Sequence, residues 1–297
     1  MRYEIYHETS FKYGSLVTFS HNIARLKPKE TATQKLLEYN LVISPKPFET
    51  NEFVDFFENT NNFIVLREPH TTLVLKAISK VERYEVAIQN EIMNSFRSQI
   101  TYLELQERLK TFKVEDNYPK LYLFGTDLIP LASQEIVNYT LQSFYPTKGL
   151  FESIFEFMGR IFEDFDFVSG FSHITTPIDV IFKEKKGVCQ DFAQFAISAL
   201  RTIGIPTRYV SGYIRTIPAK GALKLFGTDA SHAWFSAYIP DIGWVDFDPT
   251  NNKIPNEEYI ILGYGRDYHD IAPLKGVVQS SGASKLEVRV DVKVIDE

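Results

Sequence analysis

The chain has 297 residues, 44% of them hydrophobic and 24% charged, with a net charge of −6. A chain of this size can bury a core without help from disulfides or structural metals, as one large domain or two ordinary ones. With 24 Phe and 16 Tyr it is no solvated coil, and with no basic stripe it offers nothing to a nucleic acid; its longest basic cluster, Lys183–Lys186, reads as a solvated loop.

The first third reads as β. Apolar residues alternate over Leu37–Ile43 and Thr72–Glu82. Phe53–Phe57 and Asn62–Leu66 flank the turn formers Glu58-Asn-Thr-Asn61, a hairpin signal. Helical spacing follows at Ile100–Phe112 and at Ser133–Phe144, the latter stopped by Pro146. Gly149–Asp164 places Leu150, Ile154, Phe157, Met158 and Ile161 on one face, as a core helix does. The clearest helix is Cys189–Ile203, with a stripe of Phe192, Phe195, Ala196, Ala199, Leu200 and Ile203. Gly204 and Pro206 end it. Strands are then expected at Arg208–Arg215, His232–Ile239, Trp244–Asp248 and Leu286–Val294, the second and third joined by Pro240-Asp-Ile-Gly243. The predicted architecture is α+β, with a β-rich domain over 1–120 and a second domain over 121–297.

The opening Met1-Arg-Tyr-Glu-Ile-Tyr-His lacks the apolar segment of a signal peptide, and no apolar run approaches the ~18 residues of a membrane span. Neither export nor a membrane partner is therefore expected. The single cysteine, Cys189, excludes an intrachain disulfide and suits a reducing compartment, so the expected location is cytoplasmic. The scattered His7, His21, His70, His173 and His269 lack ligand spacing, so no metal or other cofactor is expected.

Cys189 follows Gly187-Val188 at the first turn of the best helix. Free N–H groups and the helix dipole there favour a thiolate, and the same N–H groups can hold an oxyanion. Gly187 would give a substrate close backbone access. His232 begins one strand, and Asp248 ends the next. A turn centred on Pro240 sets them opposite each other, so that Asp248 accepts one imidazole N–H and leaves the other nitrogen for the thiol. Asp246 has the same parity as Asp248, and spacing alone does not separate the two. Asp191, in the first turn of the helix, can cap it or bind a substrate amine. Trp234 can pack in the core or wall a substrate groove.

Four ordered segments, Gly187-Val-Cys-Gln-Asp-Phe-Ala193, Gly204-Ile-Pro-Thr-Arg-Tyr-Val-Ser-Gly-Tyr213, Ser231-His-Ala-Trp234 and Gly243-Trp-Val-Asp-Phe-Asp-Pro-Thr-Asn251, resemble the bacterial transglutaminase-like superfamily. The resemblance extends to the opening, His7–Tyr13 through Arg25–Pro28, to Arg67–His70 and to Gly265–Pro273. It implies a papain-like core in which a nucleophile helix packs on an antiparallel sheet, with Cys189, His232 and Asp248 as the triad. It also implies a peptide or carboxamide substrate and a thioester intermediate. The family often carries His where this chain has Gln194, and Gly where it has Glu58. Animal transglutaminases place a Trp upstream of the Cys, whereas Trp234 and Trp244 both lie downstream, so the resemblance names no second oxyanion donor. No acidic calcium loop of the EF-hand type is present. The missing upstream Trp and calcium loop favour hydrolysis over transamidation. The oligomeric state is not legible.

Overall fold

A computed structural model describes residues 1–111, 114–215 and 231–295. Phe112, at the end of the helix expected at 100–112, and Ala230, just ahead of Ser231-His232, lie outside the described residues.

The N-terminal part contains β1 (Arg2–Val17), β2 (Phe19–Ala24), β3 (Gln34–Ser44), β4 (Glu49–Val54), β5 (Thr60–Leu66) and β6 (His70–Arg83). The expected hairpin forms, but its first strand stops at Val54. The Asp55 carboxylate accepts the N–H groups of Phe57 and Asn59, both at 2.9 Å, and so curls Phe56 and Phe57 into the turn. Glu58 there takes a φ of 61°, the left-handed region that favours glycine.

Helices follow: α1 (Glu85–Arg97), α2 (Tyr102–Leu109), α3 (Val114–Lys120), a 3₁₀ turn at Leu121–Leu123, α4 (Gln134–Leu141) and α5 (Leu150–Asp164). α2 opens on a capping box, in which the Thr101 hydroxyl and the Glu104 carboxylate exchange hydrogen bonds with each other's backbone N–H. The rest of the chain runs β7 (Asp166–Phe167), α6 (Ile178–Glu184), β8 (Lys186–Gly187), α7 (Cys189–Thr202), β9 (Thr207–Ile214), β10 (Ser231–Ile239), β11 (Gly243–Phe247), β12 (Tyr259–Gly265), α8 (Tyr268–Ile271), β13 (Leu274–Gln279) and β14 (Ser284–Val294). The basic segment expected to be a solvated loop instead spans the last turn of α6 and β8. Its Lys185 ammonium lies 3.9 Å from the centre of the Phe182 ring.

Among the described residues the strands form three four-stranded antiparallel sheets, in the orders β14-β1-β6-β3, β13-β2-β5-β4 and β11-β10-β9-β12. Helices cover one face of the third. Phe195, Ala196 and Ala199 of α7 share a core with Phe157 of α5 and with Ala233, Phe235 and Ala237 of β10. Burying an aromatic or aliphatic side chain of this kind stabilises the fold by about 1.5–3 kcal/mol. The other face of the third sheet meets the first: Tyr213, Ile260 and Leu262 pack on Tyr3, Ile5, Val81 and Val292. Two features cross the boundary expected at residue 120. Leu105 of α2 belongs to the helical core, and β13 and β14 return to pair with β2 and β1.

Candidate active site

α7 begins at Cys189 because the chain before it is extended (Val188 φ −122°, ψ 178°) and its first turn is pinned from below. The Asp191 carboxylate folds back to accept the Val188 N–H at 2.7 Å and a short hydrogen bond from the Ser172 hydroxyl. Burial raises the pKa of Asp191, against the opposing hydrogen bonds from Ser172 and Val188. Gly187 lies directly under this carboxylate, and a Cβ added there would come within 2.8 Å of the Asp191 Cβ. Its own carbonyl accepts the Val168 N–H at 2.9 Å. Cys189 itself is half-buried and free of any disulfide.

β10 brings His232 to this helix end. Its ladder with β9 sets His232 opposite Gly212. On the other side, β10 and β11 pair from Ile239↔Gly243 to Phe235↔Phe247, so the turn centres on Asp241 rather than on the expected Pro240. With this register Asp248 is not directly across from His232 but one step along the diagonal, still on the same face. The diagonal reach suffices: His232 Nε2 donates to Asp248 Oδ2 at 2.8 Å. One step further along, the same offset brings Trp234 Nε1 to Asp246 Oδ2 at 3.0 Å. The register therefore assigns the two carboxylates to different partners, which parity alone could not do.

Asp248 is fully buried. A lone carboxylate at that depth is strongly disfavoured. Five hydrogen bonds compensate it. Oδ2 accepts from His232, from Asn251 Nδ2 (2.7 Å) and from the Tyr259 hydroxyl (2.7 Å). Oδ1 accepts the N–H groups of Thr250 (2.9 Å) and Asn251 (3.3 Å). Burial would raise the Asp248 pKa, but the hydrogen bonds and charge of His232, with Asn251 and Tyr259, outweigh it and hold the carboxyl below its ordinary value. For His232, burial would favour the neutral ring. Hydrogen bonds to Asp248 and Cys189, and the charges of both, overcome it and push the pKa up to about 10. With Nε2 engaged by Asp248, Nδ1 is the nitrogen left for the sulfur.

The three expected residues lie together in space: His232 is bonded to Asp248, and the Cys189 sulfur lies close enough to the imidazole to help raise its pKa. The three residues proposed to touch substrate do something else. Trp234 is fully buried and held by Asp246, so it packs the sheet instead of walling a groove. Asp191 is 5% exposed, and its Oδ2 accepts from both Ser172 and Val188, so it holds the first turn of α7 in place. Gly187 is buried, and the space above it is filled by Asp191 rather than left open to a substrate. Tyr259, Asn251 and Ser172 escaped the sequence reading as partners of the site. Asn251 stood within a quoted motif, and the apolar run of β12 carried the signal for a buried strand bearing Tyr259. Among the described residues, no group of three or more His, Cys, Asp or Glu is placed to hold a metal ion.

Residues 144–249, which span Cys189, His232 and Asp248, match the transglutaminase-like superfamily. Residues 3–82 match the bacterial transglutaminase-like N-terminal region. An uncharacterized Mycobacterium tuberculosis protein is 32% identical, over 98% of this chain and 92% of its own length. The chain belongs to the transglutaminase-like superfamily. Its fold is that of the superfamily core with a β-rich N-terminal region, as expected. A solved Cytophaga hutchinsonii protein, described as a proposed cysteine protease, superposes with a TM-score of 0.76 at 20% identity, covering 100% of this chain and 91% of that one. A Pseudomonas aeruginosa protein-glutamine gamma-glutamyltransferase is 37% identical over 79 residues, 26% of this chain and 12% of that protein.

Proposed function

We propose that this member of the superfamily is a cysteine hydrolase that cleaves peptide or side-chain carboxamide bonds. The observation that carries the reading is the grouping of Cys189, at the N-terminus of a helix, with a His232 that is bonded to Asp248 and whose pKa the nearby sulfur helps raise.

The sulfur attacks the carbonyl carbon, a C–S bond forms, and the carbonyl electron pair moves to oxygen, where first-turn N–H groups of α7 can receive it. The oxygen pair returns, the C–N bond breaks, and His232 passes its proton to the departing nitrogen, leaving a thioester. Water then attacks, giving up a proton to His232. The C–S bond breaks, the carboxylic acid leaves, and the sulfur is restored. Asp248 keeps Nε2–H oriented throughout, so that Nδ1 handles the moving proton.

An amine in place of water would give transamidation, and the local likeness to the Pseudomonas aeruginosa glutamyltransferase favours that second reading. The absence of an upstream Trp favours water. The test is a peptide mixture incubated with and without a fluorescent primary amine. Ammonia or new peptide ends that vanish with Cys189→Ala support the hydrolase. Amine incorporation with no hydrolysis overturns the preference, and neither reaction overturns the enzyme reading.

A further inference from the structure

The first sheet extends beyond the sheet it packs on. Alternate residues of a strand share a face, and on the inward face the β1–β14 ladder pairs Ile5 with Val292, His7 with Val290, Thr9 with Val288 and Phe11 with Leu286. Ile5, Val290 and Val292 are buried with Tyr213, Ile260 and Leu262 of the third sheet. The apolar stripe then runs on past that contact into the open: Val288 is 47% exposed and Leu286 is 53% exposed. Both line a cavity of about 100 Å³, whose lining also includes Ser231, Tyr268 and Pro273.

This cavity adjoins the candidate active site. Ser231, which is exposed, directly precedes His232 in β10. Tyr268 packs on the same core as Cys189, with its ring 6.4 Å from that of Tyr209. Burial raises the Tyr209 pKa, and the charges of Cys189 and then Tyr268 add to it, so both lie near that one ring. The segment Gly265–Pro273, one of the stretches that carry the family resemblance, brings Tyr268 and Pro273 to the wall. It is tied to the nucleophile helix, where Arg201 Nη2 donates to the Arg266 carbonyl at 2.7 Å. Among the described residues the lining carries no charge. His7 is kept neutral by burial, which lowers its pKa to about 4, and its two ring nitrogens are already bonded to Tyr213 and Thr9. A charged group entering there would lose its hydration with no ion to pair with. A cavity of about 150 Å³ admits a benzene ring, so one of this size suits a branched aliphatic group. We propose that this overhang is a substrate subsite of the Cys189 centre, which takes a Leu or Val side chain beside the scissile carbonyl. The proposal rests on the hydrolase reading and names the substrate class for it.

Cys189 is the single cysteine, so intact mass reads its alkylation without any turnover. The full chain is treated with two probe series, acetyl-Xaa-chloromethyl ketones and chloroacetyl-Xaa amides, which place the side chain on either side of the reacting carbon. In each, the sulfur forms a C–S bond and chloride leaves. Xaa is Leu, Val, Gly or Asp, rates are normalised to iodoacetamide, which carries no side chain, and Cys189→Ala gives the background. The expected result is that, in at least one series, Leu and Val probes react about tenfold or more faster than Gly, with Asp no faster than Gly. Val288→Asp and Leu286→Asp, both at exposed positions and checked by circular dichroism, bring the Leu/Gly ratio towards one. The subsite is overturned, with the hydrolase reading intact, if Leu and Gly probes react alike in both series while peptides are still cleaved. It is also overturned if the ratio is unchanged in either folded variant. If iodoacetamide itself leaves Cys189 unlabelled, the hydrolase reading falls and the subsite falls with it.

Discussion

Replacing Tyr259 by Phe deletes one hydroxyl and leaves the ring in place. That hydroxyl donates to Asp248 Oδ2 at 2.7 Å, and both residues are fully buried. A hydrogen bond to a charged group contributes about 1.5–3 kcal/mol. Oδ2 keeps His232 and Asn251, so no buried acceptor is orphaned, and the lower end, about 1.5 kcal/mol, is expected. At about 2–4 °C per kcal/mol, this lowers the Tm by about 3–6 °C. The same loss falls on the ionised form of Asp248, so its pKa rises. In the folded wild type that pKa is depressed. Its stabilising effect is present above the unfolded value and is lost as pH falls through the folded one. In Tyr259→Phe this loss begins at higher pH. Urea titrations from neutral to acid pH measure both effects. A variant within about 0.5 kcal/mol of wild type at neutral pH, with an unmoved acid limb, would refute the assignment of Tyr259 to the carboxylate.

Other outcomes follow from the same contacts. Asp248→Asn is expected to lower kcat on the order of 10³–10⁴-fold through loss of the oriented tautomer, while Asp246→Asn, which touches Trp234 instead, changes kcat far less; steady-state rates on a cleaved peptide compare them. Gly187→Ala drives a methyl against Asp191 and is expected to cost about 1–3 kcal/mol in chemical denaturation, together with activity, because the nucleophile turn moves. The raised pKa of His232 contributes stability that is whole below the ordinary value of 6.5 and fades as pH rises through about 10, so alkaline unfolding should ease over that interval in wild type and much less in His232→Gln.

The sequence carried the helix of the nucleophile almost to the residue, because α7 buries a regular stripe and ends on Gly204 at a φ of 79°. β14 was equally legible from its alternation, although nothing local said that it pairs with β1. β1 was harder to read as a strand. Its inward positions run Tyr3, Ile5, His7, Thr9, and the last two are polar; His7 is buried only because Tyr213 and Thr9 satisfy both ring nitrogens. Cys189, His232 and Asp248 were legible as candidates by type and order, but their geometry was not. A shift of the turn centre from Pro240 to Asp241 moved Asp248 onto the diagonal, and register of that kind is set by the turn and the neighbouring strand rather than by the strand's own pattern. Asp191, Gly187 and Trp234 looked like substrate contacts because they lie near the site in sequence; burial turned them into its scaffold.

The most direct test of the central claim is the titration of His232 by NMR on histidine-labelled protein, with its signal assigned through His232→Gln. The account requires an imidazole that stays protonated through neutral pH and titrates near 10, with its value falling in Cys189→Ala. A ring that titrates near its ordinary 6.5, or that ignores the loss of the sulfur, contradicts the account.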